Sequence, residues 1–381
     1  MSVPSLEDLL CDLVALPSVN PEGGLSEPAY CGEGRLADYV EDFWRRQQID
    51  CERYEVLPGR QNVVARLDVP DRPVLLLEAH MDTVPPHPGY SEPFVPRIED
   101  DRLYGLGACD AKASLAAMMW AVASAACGGR LSWSVIMAAT VDEEHSFRGA
   151  TALVERGLRA DAAVVGEPTA LQVVVAHKGA IRWRLVTHGR AAHSSTPLAG
   201  HNAIYPMARL VQTLEAYAAV LDALPPHPLV GTPSLSVGTI VGGTRVNVVP
   251  ERCEVTLDRR LLPGETFEQA EADLHCFVRR NLGENFEYGC QTLLRDPPLD
   301  CGTNQELALQ LVEVARQLGL DAAMVGLPYC TNASKYAAAG IPSVVFGPGD
   351  PAQAHADKEW VALSAVRSAA AVYHHFILGL P

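Results

Sequence analysis

The chain of 381 residues has no C-x-x-C anywhere, although it carries ten cysteines, at 11, 31, 51, 109, 127, 253, 276, 290, 301 and 330. Thiols scattered in this way give neither a zinc-finger spacing nor a disulfide framework, and they fit reduced cysteines in a cytosolic enzyme. Positive charge is also short. Thirty Lys and Arg stand against 46 Asp and Glu, a formal net charge of −16, which argues against a nucleic-acid or anionic-membrane partner and is compatible with a cationic small substrate. No apolar window reaches the length of a membrane span, and the segment from Met1 to Cys11 is acidic and amphipathic, without the basic start of a signal peptide. The expectation is a cytoplasmic protein. Internal repeats and low-complexity linkers are lacking too. With 48% hydrophobic and 20% charged residues the chain can bury a full core, and its length predicts about two domains.

What is present is a series of motifs at strand ends. L-L-L-E-A-H-M-D-T-V, with His80 and Asp82, and T-V-D-E-E, with Glu143 and Glu144, each follow an apolar run that reads as a buried strand. Strand ends are where sites sit in α/β sheets. Between them G-L-G-A-C-D-A-K puts Asp110 at the mouth of a helical pattern, and G-E-P with Glu167 and A-H-A-D-K-E with His355 follow. Two histidines and several carboxylates suit a hydrolytic metal pair. Zinc and its first-row neighbours accept imidazole nitrogen and carboxylate oxygen, and two ions about 3.5–4 Å apart can share one carboxylate and one hydroxide, the nucleophile. A further carboxylate must then take the water's proton and deliver it to the leaving nitrogen. Neighbouring residues at a strand end point different ways, so one of Glu143 and Glu144 can bind metal while the other stands over the water. Taken singly, each motif has an ordinary alternative: Asp110 as a helix N-cap, the glutamate pair as a solvated turn, His80 as a core histidine.

Helices are expected from Ser5 and around Leu36, Val40, Phe43 and Trp44, and strands near 61–68 and 73–80. An Ala-rich helix from Asp110 to Gly128-Gly129, a strand S-W-S-V-I-M-A-A-T, a helix near 149–157 and a strand A-A-V-V-G come next. This alternation predicts an α/β fold with a largely parallel sheet flanked by helices. From about residue 178 the rhythm becomes β-α-β-β-α-β, with a helix from Asn202, strands flanking Gly242-Gly243, a Thr266/Gln269 capping box and a last strand near 286–294. That order is ferredoxin-like. It reads as an insertion at 178–294 into a first domain made of 1–177 and 295–381, whose closing elements are helix 304–318, strand 342–347 and helix 361–378.

The ordered motifs resemble, over essentially the whole chain, the M20 metallopeptidase and deacylase family of acetylornithine deacetylases, succinyl-diaminopimelate desuccinylases, aminoacylases and glutamate carboxypeptidases. The resemblance rests on H-M-D at 80–82, G-x-G-x-x-D-x-K ending at Asp110 and Lys112, D-E-E at 142–144 and G-E-P at 166–168. It continues through H-G-x-x-A-H-S-S at 188–195, G-G-T-x-x-N-V-V-P from 242, D-x-R-x-x-P-G-E from 258, and G-P-G with A-H at 347–355. It implies that His80 and Glu167 bind one metal and Glu144 and His355 the other, with Asp110 bridging. Zinc is the expected ion and cobalt the alternative. It further implies that Asp82 bonds the far nitrogen of His80, and that Glu143 is general base and acid. His193 and Asn247 of the inserted lid domain would face the substrate carbonyl, and Arg260 would clamp a substrate carboxylate, helped by backbone amides at Gly347 to Gly349. Thr331, in the P-Y-C-T-N stretch at 328–332, would lie near the substrate. The chain departs from the family pattern at Leu106, commonly Arg, at Ala113-Ser114, commonly paired glycines, and at Asn332, usually acidic. The implied enzyme is a two-metal amidohydrolase removing an N-acyl group from an amino acid, N-acetyl-ornithine or a close relative, and a homodimer through the lid. Two alternatives are a dipeptidase or carboxypeptidase with the same metals, and a metal-free binding protein that keeps the fold.

Overall fold

The computed structural model describes residues 3–24, 27–128 and 130–379. Eight strands form a mixed sheet in the order Asp50–Leu57, Arg60–Leu67, Ser134–Thr140, Val74–His80, Ala162–Val165, Ser343–Val345, Val173–His177 and Met324–Leu327. The run from Ser134–Thr140 to Ser343–Val345 is parallel. These strands are buried almost throughout, because parallel strands are covered on both faces, and so they read as apolar runs rather than as alternation. The fold class is therefore α/β, as the alternating pattern predicts.

Strand Asp50–Leu57 has no counterpart in the sequence reading. It is an edge strand, paired only with Arg60–Leu67, and no residue in it is fully buried, so it carries no apolar period to find. Helix Lys112–Cys127 shows the opposite extreme. It packs on strands Val74–His80 and Ser134–Thr140 and against helices Leu6–Ala15 and Leu363–Leu378, and it is apolar on nearly every side for that reason. Gly166 and Gly347 both abut this helix at Ser114: a Cβ on Gly166 would meet Ser114 Cβ at 2.7 Å. A side chain at either glycine would collide with Ser114.

The chain divides into two compact units. One takes the residues up to Val175, Cys301–Val325 and those from Thr331 onward; the other takes Ala176–Asp300 with Gly326–Cys330. The second unit has strands and helices in the order β-α-β-β-α-β, and its antiparallel sheet runs Ser234–Gly242, Arg252–Leu261, Gly179–His188, Gly289–Asp296. Alternate strand residues such as Trp183, Leu185, Val255 and Leu257 pack with Leu210 and Leu214 of helix Ile204–Asp222 and Leu274 of helix Phe267–Leu282, so both helices cover one face. Thr266 caps the latter helix by accepting the Gln269 N–H at 3.2 Å. The expected reciprocal half of the capping box is absent, because the Gln269 amide donates instead to Asp273 one turn on, at 2.8 Å. Among the described residues no cysteine forms a disulfide, and no helix is long and apolar enough to cross a membrane.

Candidate metal centre

Three segments leaving the C-terminal ends of parallel strands, together with two loops, assemble the cluster. Thr140 pairs with His80, and Val165 pairs with Glu78 two residues before it. Glu143 and Glu144 therefore follow on one side of His80, while Glu167, two residues beyond Val165, comes level with it on the other. Asp110 arrives from the loop before helix Lys112–Cys127, and His355 from the loop after strand Ser343–Val345.

Asp110 stands between two histidines. His80 Nε2 is 3.0 Å from Asp110 Oδ1 and 3.7 Å from Glu167 Oε2, and His355 Nε2 is 3.7 Å from Asp110 Oδ2 and 3.1 Å from Glu144 Oε2. Each of the triads His80, Asp110, Glu167 and Asp110, Glu144, His355 brings its ligand atoms within 4.8 Å of one another. Asp110 is not a helix cap: the helix begins at Lys112, the cap position is Ala111, and no side chain bonds the exposed amides there. The peptide between Asp110 and Ala111 is cis.

The electrostatics show a cluster short of positive charge. Burial opposes protonation of His80, but Glu167, Asp110 and Asp82 outweigh it and hold its pKa well above the usual imidazole value. The hydrogen bond to Glu144 raises His355 to about 9. Burial lifts Glu167 to about 8 against the pull of His80, and burial with the Glu167 charge pushes Glu143 well above the carboxylate range. Glu167 Oε1 is buried with no hydrogen-bond partner among the described residues. Two imidazoles and three carboxylates, one of them shared and one with an orphaned oxygen, fit divalent cations.

Asp82 meets the far nitrogen of His80 chiefly through its backbone. His80 Nδ1 is 2.9 Å from the backbone carbonyl oxygen of Asp82 and 3.6 Å from Oδ1, so the carbonyl makes the closer contact. The carboxylate accepts the N–H groups of Glu143 and Glu144 at 3.0 and 3.1 Å. It thereby fixes the backbone of both glutamates.

Behind it lies a network whose further members, Asn20, Glu33 and Arg60, lie outside the motifs. Asn20 Nδ2 donates to Asp82 Oδ2 at 2.8 Å and to Asp142 Oδ1 at 3.0 Å. Arg60 grips Glu33 with Nε at 2.7 Å and Nη2 at 2.6 Å, and reaches Asp142 Oδ1 at 3.1 Å. All of these residues are buried. They hold Asp142 at φ +67°, a left-handed conformation that costs a non-glycine residue about 1–2 kcal/mol and aims the two glutamates that follow. Glu359 does the same for the other side, accepting the N–H groups of Gly107, Cys109 and Asp110 at 2.7, 2.7 and 2.8 Å.

Some residues expected at the substrate are committed elsewhere. The Gly347 N–H donates to Thr169 Oγ1 at 3.1 Å, because the loops after strands Ala162–Val165 and Ser343–Val345 lie against each other there, and so it is not an open donor. Gly349 occupies φ +89° and its carbonyl accepts the Ala170 N–H. The Thr331 side chain is 1% exposed, and its hydroxyl accepts the Ala333 N–H at 3.2 Å. Asn332 turns inward and donates to Glu78 Oε1 at 3.0 Å. Burial raises Glu78 to about 7, and an acid at 332 would set a second carboxylate against it.

Three expected residues lie in the second unit. The Ser194 N–H bonds the Asn247 carbonyl and the Val249 N–H bonds the Ala192 carbonyl, which brings Asn247 beside His193. His193 Nδ1 accepts the Ser195 N–H at 3.1 Å, so a neutral ring carries its proton on Nε2 and presents a donor. Arg260 is already engaged: Nε lies 2.6 Å from Asp258 Oδ1, and Nη1 donates to Cys330 Sγ at 3.4 Å.

Comparison with known proteins places the chain in a family. The acetylornithine deacetylase of Myxococcus xanthus is 32% identical over 374 residues, 94% of this chain and 93% of that protein. The acetylornithine deacetylase of Pectobacterium carotovorum subsp. carotovorum is 29% identical, with 99% of each chain covered. An M20 family metallo-carboxypeptidase from Sulfolobus solfataricus superposes with TM-score 0.79 at 19% identity over 99% of both chains. A dinuclear metal-binding peptidase of the M20 family from Bacillus subtilis superposes with TM-score 0.69 at 16% identity, over 98% of this chain and 96% of that one. The profile of peptidase family M20/M25/M40 matches residues 76–379, and the chain belongs to that family.

Proposed function

We propose that this hydrolase removes the acyl group from the nitrogen of an amino acid, with N-acetylornithine as its substrate. The observation that carries the reading is Asp110, whose two oxygens face two different histidines; the names of the two relatives support the substrate. Two divalent ions, zinc or cobalt, fit the donors, His80, Asp110 and Glu167 for one and Asp110, Glu144 and His355 for the other. When bound, they supply Lewis acidity at the acyl carbonyl and lower the pKa of water.

The remaining chemistry belongs to the chain. Glu143 takes the proton of the attacking water and hands it to the nitrogen, which leaves only once protonated. Asp82 keeps Glu143 and Glu144 in place through their amides. His193 Nε2 and the Asn247 amide are donors for the carbonyl oxygen as it gains negative charge, and Arg260 meets the amino-acid carboxylate with Nη1, which exchanges its contact with the Cys330 thiol for it. Gly349 and Thr331 support the walls of the site through their own loop contacts.

A homodimer through the second unit is part of this reading. Its edge strand Ser234–Gly242 leaves Ile240 and Val241 57% and 62% exposed, and an apolar sheet edge is a pairing surface. Reduced cysteines support a cytoplasmic location. The test is a hydrolysis panel of N-acetyl, N-succinyl and N-formyl amino acids and dipeptides with zinc or cobalt added. N-acetylornithine ranks first on this account; dipeptides ranking above every N-acyl amino acid would replace it with a peptidase.

A further inference from the structure

Apart from the two triads that share Asp110, one group of side chains among the described residues brings three ligating atoms within 4.8 Å of one another: Glu271, His275 and Cys290. Glu271 and His275 lie four residues apart on helix Phe267–Leu282 and so share a face. Cys290 lies on the half-buried face of edge strand Gly289–Asp296, where it packs against the core of the second unit.

A second observation points to a cation. Tyr288, two residues before Cys290, places its hydroxyl 2.5 Å from His275 Nδ1. In the tautomer whose Nδ1–H donates to that oxygen, the lone pair of the neutral ring sits on Nε2, the arrangement that orients ligating histidines. Nε2 faces Glu271 Oε1 at 3.9 Å, which is too far for a hydrogen bond. A tetrahedral zinc ion holds nitrogen and oxygen ligands about 3.3 Å apart, so a small contraction of this gap would seat one. Glu271 Oε2 is turned the other way, toward Arg295 Nη2 at 3.3 Å, which fixes the carboxylate with Oε1 toward the ring. The Glu271 and His275 side chains are 32% and 29% exposed, leaving an approach for the ion and for a water as fourth ligand.

We propose that Glu271, His275 and Cys290 form a separate site for a thiophilic divalent cation such as zinc, which clamps helix Phe267–Leu282 to the edge strand of the second unit. On binding, Cys290 releases its thiol proton to solvent and ligates as thiolate. The site does not rest on the proposed reaction, because none of its residues belongs to the Asp110 cluster.

Cobalt(II) added to the metal-stripped full-length protein tests it. The Asp110 cluster offers only nitrogen and oxygen donors, so a near-ultraviolet thiolate-to-cobalt charge-transfer band reports sulfur ligation alone. The expected result is a band whose saturating amplitude corresponds to about one thiolate-bound cobalt per chain, reached once the Asp110 cluster has taken its own ions, that is lost in Cys290→Ser and in His275→Gln, and survives in Cys109→Ser, the thiol beside Asp110. Wild-type protein supplies a second readout, since zinc should protect Cys290 from alkylation when modified peptides are mapped. No band at saturating cobalt, a band unchanged in Cys290→Ser, or alkylation of Cys290 indifferent to zinc would overturn the proposal.

Discussion

Asn20 shows what a single side chain contributes when its partners are distant in sequence. It sits 62 residues from Asp82 and 122 from Asp142, and its amide is the donor between two buried carboxylates. Removing it leaves both under-bonded, at a cost of about 1–3 kcal/mol, and loosens the backbone that aims Glu143. Asn20→Ala is expected to lower kcat on the order of tenfold to a hundredfold with KM little changed, and Asn20→Asp, which adds a third negative charge, to lower it further. Steady-state kinetics and thermal melts check this; an Asn20→Ala enzyme with wild-type kcat and melting temperature would remove Asn20 from the positioning network. The five residues that the fold gathers around Asp110 were legible in the sequence because histidine and carboxylates recur there within short motifs. Asn20, Glu33 and Arg60 were not, because each is an ordinary polar residue until the fold brings its partner to it. Asp142 and Glu359 stood inside recognised motifs, yet their roles are visible only as contacts.

At the scale of elements, the strongly periodic or uniformly apolar segments are those the sequence reveals. The parallel strands, the helix Lys112–Cys127 and the β-α-β-β-α-β order all follow from apolar pattern. The edge strand Asp50–Leu57 and the unmade half of the Thr266 capping box do not, since solvation on one hand and competition from Asp273 on the other are tertiary facts. Helix Lys112–Cys127 also begins with a buried cation: Lys112 is fully buried, and its Nζ donates to the Leu16 carbonyl at 2.7 Å. Burial lowers its pKa from 10.5 to about 7, so between those values the unfolded chain binds a proton that the folded chain sheds. Stability from this group therefore rises with pH from about 7 toward 10.5, and the penalty of burying the ammonium is fully present below the folded value. Lys112→Met should flatten that rise, by on the order of a few kcal/mol across the window. Urea unfolding at several pH values measures it, and an unchanged slope would show that Lys112 does not titrate there.

At the scale of the whole molecule, the proposed dimer divides the catalytic groups between two chains. If His193 serves the partner's centre, Glu143→Ala and His193→Ala homodimers are both nearly inactive. An equal mixture that exchanges subunits should then regain roughly a quarter of wild-type activity per total chain, because half the dimers hold one intact site. Verified exchange without recovery would place His193 within its own chain or outside the reaction. The central claim is narrower: a metal pair bridged by Asp110, with Glu143 moving the proton. Its most direct test is metal content alongside turnover on N-acetylornithine, measured in a Cys290→Ser background so that only this centre is counted. Glu143→Gln should keep about two ions per chain while losing on the order of 10²- to 10⁴-fold in kcat, whereas Asp110→Ala should lose the ions themselves. A Glu143→Gln enzyme with near-normal turnover, or an Asp110→Ala protein that still holds both ions, would contradict it.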